Sequence, residues 1–504
     1  MPDDENLTPR KDFSALDKHL RQGKIFVPPL MQIPGLTTQS WYNERLPEML
    51  WAALLIATMP RNQYITHLSL TAKAAMQFRD NPDVYPQHSA GAHLSAEQFN
   101  ALFGHLLTDD QARQALSPLL LLEKLPDRAH WSLHLDTPAE NDGWLSIANA
   151  VANSAERRGR PAIDIRWLRV MFLGLQHRMV IPKGKGEEIV EMLCAYPERA
   201  EPSGEVDAVI ASMEGATGHG PFAEGASVWS GTFWDECLRK TGCIPARVRM
   251  PESGFEYEPA KKRWGEIYAR LVRHFFETLT TTDVDPKHDA VFGLALYAMS
   301  LVTGMMRPHS TRPSGRHLLR SLAEVHITLA YLIAKDDPNA WQMYRAYGVG
   351  QAKLAFLKLV ERERDDLPKH VDVGTLEQLA NEDMWQEFVP IDVGHWARLT
   401  VRIMADEAGV KDLYDAYYVW PSGFVHGHWG AVRDSVFDIC ANPLHRFHRI
   451  PRPMRVDMDD VCFDAVDLMN RTLDLVERAY PGLSERFVRA SMSPQAPPPS
   501  SAEA

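Results

Sequence analysis

Apolar residues recur at three- and four-residue spacings through most of the chain. From Trp264 they run Ile267, Leu271, Phe275. Trp341, Tyr344, Gly348, Ala352, Ala355 and Leu359 repeat the rhythm, as do Val461, Ala465, Leu468, Thr472, Leu475 and Ala479. Each series marks one face of an α-helix. Asp337-Pro338 supplies an N-cap with proline at the first helical position, and Pro481-Gly482 stops the last long helix. No ladder of alternating strand positions competes with this pattern, which predicts an all-α fold built as a multi-helical bundle. Ala290 to Met306 carries no charge but sits at the lower edge of a membrane-spanning length. It reads as a buried core helix, so no membrane partner is expected.

The helical rhythm lapses in three places. Residues 1–38, with Pro28, Pro29, Pro34 and Gly35, read as an N-terminal arm. Residues 201–259 hold Gly215, Gly218, Gly220 and Gly225 and read as an irregular glycine-rich connection. Residues 486–504, with Pro494, Pro497, Pro498 and Pro499 among serines and alanines, read as a disordered tail. Between them lie an N-terminal helical domain, 39–200, and a C-terminal helical domain, 260–485.

Composition narrows the class. The 504 residues are 45% hydrophobic and 24% charged, which excludes a wholly disordered chain, a collagen and a small disulfide scaffold. The net charge of −12 disfavours broad non-specific nucleic-acid binding and tolerates only a local basic patch. Met1 to Asp12 is charged and mixed in sign, which predicts no secretory signal and a cytoplasmic protein. Cys194, Cys237, Cys243, Cys440 and Cys462 are scattered without a CxxC pair. They argue for reduced thiols and against zinc held through cysteines. No metal and no cofactor is expected.

Candidate chemistry is local. There is no P-loop, no GxGxxG, no HExxH and no GxSxG. From Arg307 to Arg320 the chain carries Arg307, His309, Arg312, Arg316, His317 and Arg320 without an acid. Pro308 and Pro313 precede Ser314, a reasonable N-cap. Arg316, Arg320 and Glu324 then share a helix face. The stretch reads either as an anion site at a helix start or as a solvated arginine face paired with acids elsewhere. A second feature is Trp420-Pro421-Ser422-Gly423-Phe424-Val425-His426-Gly427-His428-Trp429. Helical spacing stacks Ser422 and His426 one turn apart. His426 reads either as a general acid/base or as a core histidine bonded to Ser422 or Tyr418. A third, Pro443 to Arg455, carries His445, Arg446, His448 and Arg449 in a proline-rich stretch expected to be extended. It suits a phosphate backbone, a plain basic loop or, joined to His426 and His428, a four-histidine metal set. Arg157, Arg158, Arg160, Arg166 and Arg169 read as a solvated helix end.

Three segments carry a resemblance: Arg320-Ser-Leu-Ala-Glu324-Val-His-Ile-Thr-Leu-Ala-Tyr331, then Tyr344-Arg-Ala-Tyr347, then Ser422-Gly-Phe-Val-His426-Gly427. Over about residues 285–480 the chain resembles a bacterial family of helical proteins of unknown function. More distantly it is similar to the HEPN helical superfamily, many of whose members are ribonucleases or nucleotide-modifying toxins with an Arg-x(4–6)-His motif. The resemblance implies that Arg320, Glu324, Ser422 and His426 meet at one buried polar site, with His426 as acid/base and Arg320 on a phosphate. Arg312, Arg316, His428, Arg446 and Arg449 would then contact RNA or another phosphate-bearing ligand. His426 has no arginine four to six residues upstream. Arg320 and His326 lie roughly 120° apart on a helix, so they would converge on a phosphate only with a second copy of the chain, a homodimer. The alternative is a non-catalytic helical scaffold or binding protein in which the same four residues form a structural polar network.

Overall fold

A computed structural model describes residues 16–32, 40–81, 83–156, 159–179, 186–199, 201–217, 223–245, 254–306, 309–363, 367–382, 384–451 and 458–487. The fold is all-α, with a few three-residue strands in two-stranded sheets. The expected disordered tail lies outside the described residues, apart from residues 486–487. The chain divides into two compact units. Unit 1 comprises residues 1–246 and 439–448; unit 2 comprises 247–438 and 449–504.

Unit 1 is built on α1 (Leu50–Thr58), α2 (Arg61–Ala74), α3 (Ala96–Leu107), α4 (Glu140–Ala155), α5 (Arg160–Leu175), α6 (Gly204–Gly215) and α7 (Ala223–Lys240). Leu50 to Leu55 are all buried, so α1 is apolar all round and runs through the core, with α4 packed on it. α2 and α6 pack on α5. A capping box, Ser95 with Gln98, starts α3.

The glycine-rich segment 201–259, expected to be irregular, contains the whole of α6 and α7. Val206 and Ile210 of α6, and Trp229, Phe233, Trp234 and Cys237 of α7, are buried at helical spacing. Each buried large apolar side chain contributes about 1.5–3 kcal/mol, against about 1 kcal/mol for a helical glycine. The apolar face therefore wins.

Unit 2 contains α8 (Tyr257–Thr278), α9 (Pro286–Met305), α10 (Pro313–Lys335), α11 (Pro338–Val360), α12 (Val401–Glu407), α13 (Lys411–Tyr417), α14 (Val419–Val425), α15 (Trp429–Val436) and α16 (Cys462–Ala479). α9, α10 and α16 pack on one another and enclose the core, while α12, α13 and α14 lie along α10. Asp285 and Asp337 cap α9 and α11 through their side chains, each followed by proline. α9 covers the uncharged stretch from Ala290 and buries most of it. No described helix is long and apolar enough to cross a membrane.

Candidate functional site

α10 carries Arg316 and Arg320 of the first basic stretch; Arg307 lies outside the described residues. It starts at Pro313, with Arg312 rather than Ser314 in the N-cap position. Arg316 is buried, and donates to the backbone carbonyls of Ser310 at 3.1 Å and Asp459 at 2.5 Å. It fastens two loops to the helix start. Arg312 is exposed.

One turn beyond Arg316, Arg320 reaches towards α14. Its Nη1 pairs with Glu324 Oε2 at 2.8 Å. Its Nε donates to Ser422 Oγ at 3.3 Å and its Nη2 to the Tyr418 hydroxyl at 2.7 Å. Its guanidinium also lies 4.6 Å from the centre of the Tyr418 ring. Ser422 Oγ in turn donates to the Tyr418 carbonyl at 2.7 Å. Burial, with the Glu324 carboxylate second, pushes the Tyr418 hydroxyl above the usual tyrosine range, opposed by Arg320. On the same side His317 Nε2 lies 3.0 Å from the Phe424 carbonyl. Two residues one turn apart on α10 thus hold the short helix α14. Arg320 is half-buried, not sealed.

Three of the four proposed catalytic residues therefore meet. The fourth stands apart. His426 follows α14, its backbone N–H donating to the Ser422 carbonyl at 3.1 Å, and its side chain is exposed. Among the described residues it makes no hydrogen bond to Arg320 or Glu324; its ring instead stacks on that of His428, 5.8 Å away. The turn needs Gly427 at φ +62°, which leads from α14 into α15. Tyr418 is the member of the assembly whose role the sequence leaves open. Its signal is its position four residues before Ser422, the spacing that separates Ser422 from His426.

The third basic stretch is not extended at its start. Residues 443–445 form a single turn, and Arg446 and Phe447 both have left-handed backbone. Arg446 is exposed, 6.0 Å from the Trp234 ring, in unit 1. Arg449 is half-buried and belongs to unit 2. Arg452 and Arg455 lie outside the described residues.

Unit 1 holds a second polar assembly. Arg166 and Arg169, expected on a solvated helix end, are buried in the middle of α5. Arg169 Nε donates to Glu214 Oε1 at 3.0 Å, and Arg45, also buried, pairs with the same oxygen. Burial pushes the Glu214 carboxyl up, but Arg169 and Arg45 outweigh it and hold the group below the usual carboxylate range. Nearby, burial pushes the Glu48 carboxyl up, opposed by hydrogen bonds from Ser89. His88 Nδ1 lies 2.8 Å from Asp127. Arg45 and Glu214 stand 169 residues apart in sequence, which no local spacing links to Arg166 and Arg169.

Residues 306–440 match a family of unknown function, DUF5677. The DUF5677 segment contains Arg320, Glu324, Tyr418, Ser422 and His426, and hence the whole α10–α14 assembly. No curated protein and no solved structure matches the chain.

Proposed function

We propose that the protein is a non-catalytic helical scaffold or binding protein of the cytoplasm, in which the DUF5677 segment uses the Arg320 assembly as a clamp between helices. What carries this reading is the commitment of Arg320. Each of its three nitrogens has an acceptor and its face rests on Tyr418. A cation that stabilises a transition state needs donors aimed at the position of developing charge. Here one is aimed at Glu324 on α10 itself and two at Tyr418 and Ser422, at the start of α14 and within it. The side chain of His426, the acid/base candidate, makes no hydrogen bond to that network among the described residues, and its ring stacks on His428.

A second reading, a HEPN-like ribonuclease or phosphoryl-transfer enzyme acting on RNA, is favoured by one observation. His426 and His428 are adjacent and exposed, one turn from Ser422. One paired experiment separates the two. Arg320→Ala and His426→Ala are compared in thermal melts and in cleavage of a mixed-sequence single-stranded RNA. The clamp predicts that Arg320→Ala lowers the melting temperature, that His426→Ala leaves it unchanged, and that no form cleaves RNA. Cleavage by the parent protein that His426→Ala abolishes without loss of stability would overturn it.

A further inference from the structure

Four ligand-type side chains converge in unit 1. Cys243 lies three residues beyond α7, and Cys440, His445 and His448 lie on the 439–448 segment of the same unit. Cys243 Sγ is 3.5 Å from His445 Nδ1 and 3.3 Å from His448 Nε2. Cys440 Sγ is 3.5 Å from the same Nδ1 of His445. One such atom from each of the four residues falls within 4.8 Å of every other. Zn²⁺ at its ordinary bond lengths and tetrahedral angles separates a sulfur and a nitrogen ligand by about 3.6 Å. The three sulfur–nitrogen separations match that edge length to within about 0.3 Å. Thiol-to-imidazole hydrogen bonds explain them less well. His445 Nδ1 can offer one lone pair, yet two sulfurs stand 3.5 Å from it.

The surroundings prepare the ligands. The Thr241 hydroxyl donates to the Cys237 carbonyl at 2.7 Å and accepts from Asn442 Nδ2 at 3.1 Å. Its single proton being used, it accepts from His445 Nε2, 3.0 Å away. That fixes the proton on Nε2 and leaves the Nδ1 lone pair facing the two sulfurs, as in metal-bound histidines whose other ring nitrogen is held by a hydrogen bond. The Ile244 N–H donates to Cys440 Sγ at 3.4 Å, which suits a thiolate. The loop itself is bent to the purpose. Between the two histidines Arg446 and Phe447 take φ of 51° and 52°, a conformation that non-glycine residues adopt at a cost.

We propose that Cys243, Cys440, His445 Nδ1 and His448 Nε2 bind one Zn²⁺ as a closed structural site. Two thiolates balance the ion's charge, and binding releases the two thiol protons to solvent. Four protein ligands leave no open position for a substrate. The ion's work is to tie Cys243 to a segment 202 residues further along the chain. The spacing of the cysteines in sequence gives no sign of such a site, because Cys243 and Cys440 stand far apart along the chain. The two that matter come together only in the fold.

The test uses the full-length chain without a histidine tag, purified under reducing conditions. Elemental analysis is expected to give about one zinc per chain. Replacement by Co²⁺ is expected to give the intense visible bands of a tetrahedral site with a thiolate-to-metal band in the near ultraviolet. Thr241→Ala should keep that spectrum and weaken metal affinity about 10- to 100-fold. Cys440→Ser and His448→Ala should lose the spectrum; Cys194→Ser, outside the cluster, should not. Cys237 and Cys462 are buried, so in the zinc form only Cys194 should react with a thiol reagent, and chelation should make two further thiols, Cys243 and Cys440, reactive. The proposal is overturned if the parent protein gives no tetrahedral cobalt spectrum, or if the spectrum survives in both ligand variants. A Cys243–Cys440 disulfide, seen as two thiols recovered only by a reductant, also overturns it. The measurements on the parent protein stand whether or not the ligand variants fold.

Discussion

Lowering the pH from 7 to 5 should destabilise unit 2 through one histidine, His326. It lies on α10 in the core, 3% exposed, with Nδ1 3.0 Å from Thr472 Oγ1. The Thr472 hydroxyl donates to the Leu468 carbonyl, so the His326 Nδ1–H donates to Thr472. Burial first, and the Arg471 cation second, lower its pKa from 6.5 to about 4. The unfolded chain then binds more protons than the folded one between those two values, so stability is present above pH 6.5 and lost as the pH falls towards 4. With those two pKa values, the loss between pH 7 and pH 5 is about 2 kcal/mol. Urea unfolding of the parent chain and of His326→Asn at both pH values isolates the effect. The variant is less stable at pH 7, but its stability should fall less on acidification, by about 2 kcal/mol. If the two proteins lose stability in parallel, the buried neutral histidine is not the cause.

Other consequences follow from the same packing. Glu214→Gln leaves Arg45 and Arg169 buried without their carboxylate. Urea unfolding should show a loss of about 3–5 kcal/mol, and a loss below about 1 kcal/mol would contradict the charge network. Gly315→Ala places a Cβ 2.6 Å from the His309 carbonyl and 3.0 Å from that of Ser310, both backbone atoms that cannot turn aside. Thermal melts should show a destabilisation of about 1–3 kcal/mol. Asp337→Ala removes the side-chain cap of α11 and should cost about 1 kcal/mol in the same assay.

Helix faces were the most legible feature of the sequence, where a helix packs on several others. Ile267 and Leu271 of α8, and Ala465, Leu468 and Thr472 of α16, are buried as their spacing predicts. The Trp341 series on α11 is less telling. Trp341 is buried, but Gly348 is exposed and Tyr344 and Ala352 are only half-buried. Capping signals carried further, because Asp337-Pro338 is a local chemical instruction. The Arg320–Glu324 pair was legible as neighbours one turn apart, and Ser422 as one end of a second one-turn repeat, whereas the part played by Tyr418 was not. The direction of His426 was not, since Gly427 turns the chain just after α14. The assemblies around Glu214 and Cys243 were least legible. Their members lie 169 and 202 residues apart, and only the packing of α5 on α6 and the return of residues 439–448 to unit 1 gather them.

The most direct test of the clamp is a double-mutant cycle on Arg320 and Tyr418, using Arg320→Ala, Tyr418→Phe and the pair, read by urea unfolding. A charge-assisted hydrogen bond between half-buried groups predicts a coupling free energy of about 1 kcal/mol or more. Additive losses, with no coupling between the two positions, would contradict it.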